Sequence, residues 1–230
     1  MVIPPPSSPC PPWLAAFSLA ALLLFGGCSP AYRARPCAPV WPSPAAVPSR
    51  SAAEITLVVD GSRMELKVSM LSRGGSAFLA DFYGPFGSHL ACMERESGRN
   101  RLTVGSSVTE PPPGTPLAVL VDFGQIPFTF DDFIRILRGT YAAEAAPEGP
   151  ADTVRSGRRE VRSVWEGDSL RRELVTGVRS CDVRSAAIGD LRAGGGWRLA
   201  FSEFRDGVPG QARLTIDDRN YFVLRYRVGE

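Results

Sequence analysis

The side chains able to do acid–base or nucleophilic chemistry are few and scattered. His89 is the single histidine of the 230-residue chain. It stands at the start of a strand-like segment and reads as a solvated or core imidazole rather than as a base. Asp131 and Asp132 are adjacent, and paired carboxylates can share acid–base work. Neighbouring residues on a helix point apart, however, so helix capping explains this pair better. No GxSxG, HExxH or phosphate-cradling glycine pattern occurs, and Gly194-Gly195-Gly196 precedes a strand, where it reads as a turn. The residues therefore predict a protein that is not an enzyme and uses no metal or cofactor.

Cys28 is the cysteine with a chemical context. Residues 13–25, WLAAFSLAALLLF, are an uncharged apolar run of 13 residues ending in Gly26-Gly27-Cys28. At about 1.5 Å per helical residue the run is too short for a hydrocarbon core of roughly 30 Å, so it fits a signal-peptide core better than a membrane span. Leu24-Phe25-Gly26-Gly27-Cys28 resembles the bacterial lipobox, in which the cysteine thiol is acylated and becomes the mature N-terminus. Phe25 stands where an aliphatic residue is usual, and no Lys or Arg precedes the run. Each buried methylene of an acyl chain contributes about 0.8 kcal/mol, so a multiply acylated Cys28 would hold the chain on a membrane. Ser29 resembles the residue choice that directs lipoproteins to the outer membrane. A secretory signal cleaved elsewhere is the competing reading.

Composition sets the domain plan. Of the 21 prolines, 12 lie in the first 50 residues. The expected organisation is a signal peptide over 1–27, a lipidated cysteine and Pro-rich tether over 28–50, and one folded domain over 51–230. A net charge of +2 gives no electrostatic reason to expect nucleic-acid binding. Arginines at 155, 158, 159, 162, 171 and 172 could meet acidic headgroups, although a solvated face is the plainer reading. Cys37, Cys92 and Cys181 show no CxxC spacing; a Cys92–Cys181 disulfide and separate small buried residues both remain open.

From residue 54 onward, period-2 segments recur between turn signals. Met64, Leu66, Val68 and Met70 alternate with Glu65, Lys67 and Ser69, and Phe222, Leu224, Tyr226 and Val228 lie opposite Arg225 and Arg227. About ten or eleven antiparallel strands are expected, with the stretch 142–160 read as a loop. One helix stands out over 129–139. Phe130, Phe133, Ile134 and Leu137 form its apolar stripe, Thr129 its N-cap and Gly139 its C′ residue.

Ten strands cannot lie flat, so the sheet must curl with its apolar face inward. The predicted fold is mainly β: an open antiparallel half-barrel with a short helical lid. If the lid covers the concavity incompletely, an apolar groove suited to an acyl chain remains, with Met64, Leu66, Val68, Met70, Phe222, Leu224 and Tyr226 as its expected lining.

This order of segments resembles the LolB family, the outer-membrane receptors of lipoprotein localisation. The likeness rests on FLADFYGPFGSHLACME (78–94), FTFDDFIRILRG (128–139) and QARLTIDDRNYFVLRYR (211–227). It implies an open half-barrel that accepts acyl chains and delivers lipoproteins at the outer membrane, facing the periplasm. It also implies a soluble LolA-like carrier as partner and a monomeric state. Phe86 falls on the family's protruding apolar position. In Gly84-Pro85-Phe86-Gly87, Pro85 suits i+1 and Gly87 suits i+3 of a β-turn, which leaves Phe86 at a tip where it could enter a bilayer. The family's opening amphipathic helix and the tryptophan segment after its main helix have no counterpart here. The alternative is a structural or accessory envelope lipoprotein that binds a protein partner or another lipid without transfer.

Overall fold

A computed structural model describes residues 38, 39, 41, 49–59, 61–73, 77–117, 128–167, 169–190, 196–216 and 220–227. These lie within one compact unit, 36–230. Cys28, the apolar run before it and Cys37 lie outside the described residues.

Alternation builds the sheet. In β2 (Ser62–Arg73), Leu66, Val68 and Met70 are buried while Glu65, Lys67 and Ser69 are exposed. The partner strand β1 (Arg50–Val59) buries Ala53, Ile55 and Leu57 on the same face. The chain continues as β3 (Ala77–Tyr83), β4 (His89–Glu96), β5 (Arg99–Val104) and β6 (Ser107–Thr109). After helix α1 (Phe130–Leu137) and a 3-10 turn (Thr140–Ala145) come β7 (Thr153–Ser156), β8 (Glu160–Glu166) and β9 (Leu170–Gly177). β10 (Val183–Asp190), β11 (Trp197–Ser202), β12 (Gln211–Ile216) and β13 (Asn220–Arg227) complete the order. All thirteen form a single antiparallel sheet in which β1 pairs with β13 and the meanders run outward on both sides to edges β6 and β7. The sheet does not close.

Thirteen strands replace the expected ten or eleven, for a physical reason. Ser107–Thr109 splits from β5 at Gly105, whose φ of 57° makes the turn. Thr153–Ser156 arises inside the stretch read as a loop. Both are edge strands exposed along their whole length, so neither carries the buried–exposed alternation that marks a strand in a sequence.

Helix α1 packs on the concave face. The Thr129 hydroxyl accepts from the Asp132 backbone N–H at 3.1 Å, and the Asp132 carboxylate accepts from the Thr129 N–H at 3.1 Å, a complete capping box. Gly139 follows the helix at φ 71°, and a Cβ there would meet Pro209 at 3.1 Å, so both the backbone turn and the close packing require glycine. Phe130, Ile134 and Leu137 are buried to 2% exposure or less, and Phe133 is half-buried.

Cys92 is a free thiol on the outer face of β4, whereas Cys181 is disulfide-bonded. The Cys92–Cys181 bridge is therefore not formed: Cys92 projects from the convex side of its strand, opposite Asp81.

Candidate functional site

Between α1 and the sheet lies a cavity of about 220 Å³, and the seventeen described residues that line it are all apolar. The strands contribute from both halves of the sheet: Ile55 and Leu57 from β1, Met93 and Leu102 from β4 and β5, Leu199 and Leu214 from β11 and β12. Such convergence requires the sheet to curl around the helix. Phe133 is the roof. Its ring stacks on Phe82 of β3 at 6.5 Å and tilts against Phe222 of β13 at 5.9 Å, spanning the concavity. Ile136, one helical turn on, completes the roof.

Met64, Leu66 and Phe222 of the expected lining border the cavity. Val68, Met70 and Leu224 are buried in the core but do not border it, and Tyr226 turns to the helix instead. The reason is position along the strands: α1 sits over one end of the concave face and fills it, so only residues beyond the helix toward the other end see open space. Leu90, Ala91, Met93, Leu102 and Val104 also line the cavity without having stood out in the sequence. Leu90 occupies a β-bulge between the Phe82–Ala91 and Tyr83–His89 pairs, which breaks the alternation that would have revealed it.

Three lining residues remain substantially exposed: Met64, Leu90 and Val104. They mark a mouth at the end of the sheet where β2 and β4 begin and β5 ends. The turn between β3 and β4 projects from the same end. There the Gly87 N–H donates to the Gly84 carbonyl at 3.2 Å. Phe86, at φ 63° and ψ 16°, is 107% exposed. The third position of such a turn with positive φ ordinarily takes glycine, and a bulky aromatic there is a strained exception. Pro85 and Gly87 hold the turn on either side, and Pro85, Phe86 and Gly87 are all exposed.

Both ends of the lid are tied down. At its start, Arg95 of β4 donates to Asp131 at 2.9 Å, and Asn100 of β5 donates to the same carboxylate oxygen at 3.5 Å. The preceding segment is bridged to 115–117, with the Leu117 N–H donating to the Phe128 carbonyl at 2.7 Å. At its end, the Tyr226 hydroxyl donates to the Ile136 carbonyl. Tyr226→Phe should lower stability by about 1 kcal/mol, read as a shifted urea midpoint at unchanged slope. Burial pushes this phenol well above its ordinary range. Its stabilising contribution is therefore complete below about pH 10, where the unfolded tyrosine starts to ionise, and is lost as pH rises further.

The candidate chemical residues have structural work. Asp131 pairs with Arg95 and Asp132 completes the capping box. His89 lies on the outer face, its Nε2 3.1 Å from Asp81 Oδ1. Cys92 shares that aspartate, and burial together with the Asp81 charge and hydrogen bond pushes its thiol up to about 11. Asp81 is thus a partner of both His89 and Cys92. Alkylation of Cys92 by iodoacetamide near pH 8 should run about tenfold to a hundredfold slower in the folded than in the unfolded chain, since the thiolate reacts. Among the described residues, no cluster of His, Cys, Asp or Glu could hold a metal ion, and no helix is long and apolar enough to cross a membrane.

No protein-family model matches the chain, and no curated protein matches it. Solved structures do. A LolA superfamily protein from Nitrosomonas europaea is similar at a TM-score of 0.49 and 12% identity, over 78% of this chain and 83% of its own. A DUF1329 family protein from Desulfovibrio piger is similar at 0.49 and 12%, over 77% and 82%. A domain from Vibrio parahaemolyticus named for outer-membrane lipoprotein sorting is similar at 0.44 and 10%, over 78% and 84%.

Proposed function

We propose that this chain is a membrane-tethered carrier domain that takes an acyl chain into its apolar cavity and receives or inserts lipoproteins at the outer membrane. The cavity carries this reading. Among the described residues it offers an acyl chain an apolar wall and an acidic or polar ligand no side chain to pair with. At about 220 Å³ it falls short of the roughly 300–1,000 Å³ of a drug-sized ligand site, so a long chain would enter in part and leave its ester end at the mouth. The exposed Phe86 ring beside that mouth suits contact with a bilayer during transfer, and burying such a ring contributes about 1.5–3 kcal/mol. Acylation of Cys28 would supply the tether, the Pro-rich residues after it the spacer, and a soluble LolA-like protein of the periplasm the donor.

The test uses the full chain and a diacylated peptide bearing a photoactivatable diazirine near the end of one acyl chain. Adducts on the β4, β5 and β12 peptides that hold Met93, Leu102 and Leu214 are expected. Adducts confined to outer-face peptides would overturn the cavity as the acyl site and leave an accessory envelope protein. Mass analysis of the peptide that begins at Cys28 checks the anchor separately, with the acylated mass expected and an unmodified thiol overturning it.

A further inference from the structure

The convex face of the sheet carries a second concavity, of about 370 Å³, that the acyl reading does not use. Its geometry follows from strand register. Arg171 of β9 lies opposite Gly189 of β10, which in turn lies opposite Arg198 of β11. Cross-strand partners share a face, so the two arginines flank a glycine two strand spacings apart, about 10 Å between their backbones. Gly189 and the neighbouring Ala187 leave the floor almost without side chains. The result is a notch walled by Arg162, Arg171 and Arg198 together with Glu173, Asp190 and Trp197. Leu199, next to Arg198 in the chain, faces the acyl cavity, so the notch lies on the reverse side of the cavity wall.

The charges around it are unevenly engaged. Arg162 is committed to Glu173, its Nε and Nη2 donating to one carboxylate oxygen at 2.8 and 2.6 Å. Arg171 has a loose pairing with Glu166 at 3.5 Å, both half-exposed. Asp190 also borders the concavity and is itself engaged. The Arg198 guanidinium makes no hydrogen bond or ion pair with the described residues. One guanidinium is thus free and another weakly held, on either side of an open floor. Planar forks in that arrangement suit the oxygens of a phosphoryl group.

The same register fixes where the notch faces. The row Arg171–Gly189–Arg198 continues through Thr215, Tyr221 and Val58 to Arg63. Met64, at the cavity mouth, is the next residue along β2. The notch therefore lies at the same end of the sheet as the mouth and Phe86. We infer that Arg171 and Arg198 form a binding site for the phosphoryl group of an anionic lipid headgroup, which seats this end of the sheet on a membrane surface. The inference rests on the mouth working at a bilayer, but its test does not involve the cavity.

The experiment measures partition of the full chain onto vesicles of phosphatidylcholine alone and of phosphatidylcholine mixed with phosphatidylglycerol. Arg171→Gln/Arg198→Gln should lose roughly tenfold or more of the preference for anionic vesicles. Arg50→Gln/Arg73→Gln removes equal charge from the same face at the end of β1 and β2 away from the mouth and should stay within about twofold of the parent. Equal losses in the two double variants, or no preference for anionic vesicles in the parent, would overturn the site. Arg171→Lys/Arg198→Lys keeps the charge without the fork and should lose part of the preference; full retention would overturn a shaped notch. Calorimetry with inorganic phosphate separates the sources. No saturable heat is expected, and saturable binding abolished by the glutamine pair would make this a site for free phosphate instead. Failure here with acyl adducts still formed in the cavity would leave the carrier proposal standing.

Discussion

Phe86→Gly should make the protein more stable and at the same time detach its tip from membranes. The stability gain comes from the backbone. A left-handed conformation costs a non-glycine L-residue about 1–2 kcal/mol, and Phe86 sits at φ 63° with no contact to offset it, being fully exposed. Glycine relieves that strain but loses more chain entropy on folding, which returns about 0.5–1 kcal/mol, so the net gain should be near 0.5–1 kcal/mol. The membrane effect has the opposite sign and is larger. Loss of a buried phenyl ring forfeits about 1.5–3 kcal/mol of bilayer contact, equivalent to roughly tenfold to a hundredfold in partition. Thermal or urea midpoints of the full chain give the first quantity, and flotation with neutral vesicles gives the second. Phe86→Ala separates the two contributions, since it removes the ring but keeps the strain: partition should fall as in the glycine variant without the stability gain. A strained aromatic retained at a position that favours glycine is best understood if the ring acts outside the fold. Unchanged partition in both variants would leave that strain without a functional account.

The readable parts of this sequence were those in which one period persisted. Thr129 to Gly139 carries an apolar stripe, a capping pair and a left-handed terminus that agree with one another, and the helix forms over Phe130–Leu137. β2 and β13 alternate without interruption, and Leu66, Val68, Met70 and Leu224 of their inward rows are buried. The need for curvature followed from strand number, and the cavity from a lid too short to cover the sheet. What could not be read was where the lid would stop. Val68, Met70 and Leu224 have the same pattern as Leu66 and Phe222, and only the axial placement of α1 separates filled core from open cavity. That placement is set by contacts distant in sequence: Arg95 with Asp131, Tyr226 with Ile136, and Gly139 against Pro209. The arginine notch was hidden for a related reason. Arg171 and Arg198 are 27 positions apart, and their approach across Gly189 exists only through the register of three strands.

Phe133→Ala should destabilise the empty protein and make its stability depend on lipid. The ring spans from Phe82 to Phe222, so its removal deletes the middle of the roof and leaves a larger void. Truncating a well-packed phenylalanine costs about 3–5 kcal/mol, and because Phe133 is only half-buried the lower end, near 3 kcal/mol, is expected. The enlarged space stays apolar, since among the described residues its remaining walls hold no polar side chain. Apolar voids of this kind remain dry and take up apolar guests. A guest at one hundred times its dissociation constant returns about 2.7 kcal/mol to the folded state, close to what the substitution removes. Thermal midpoints with and without a short-chain fatty acyl ester should therefore diverge in the parent and more strongly in Phe133→Ala. Ala91→Trp, which places bulk into the same space, should show no midpoint shift with the ester and should suppress the diazirine adducts. If Phe133→Ala were destabilised but indifferent to the ester, the void would be collapsing around its own residues, and the acyl site would have to be sought elsewhere on the sheet.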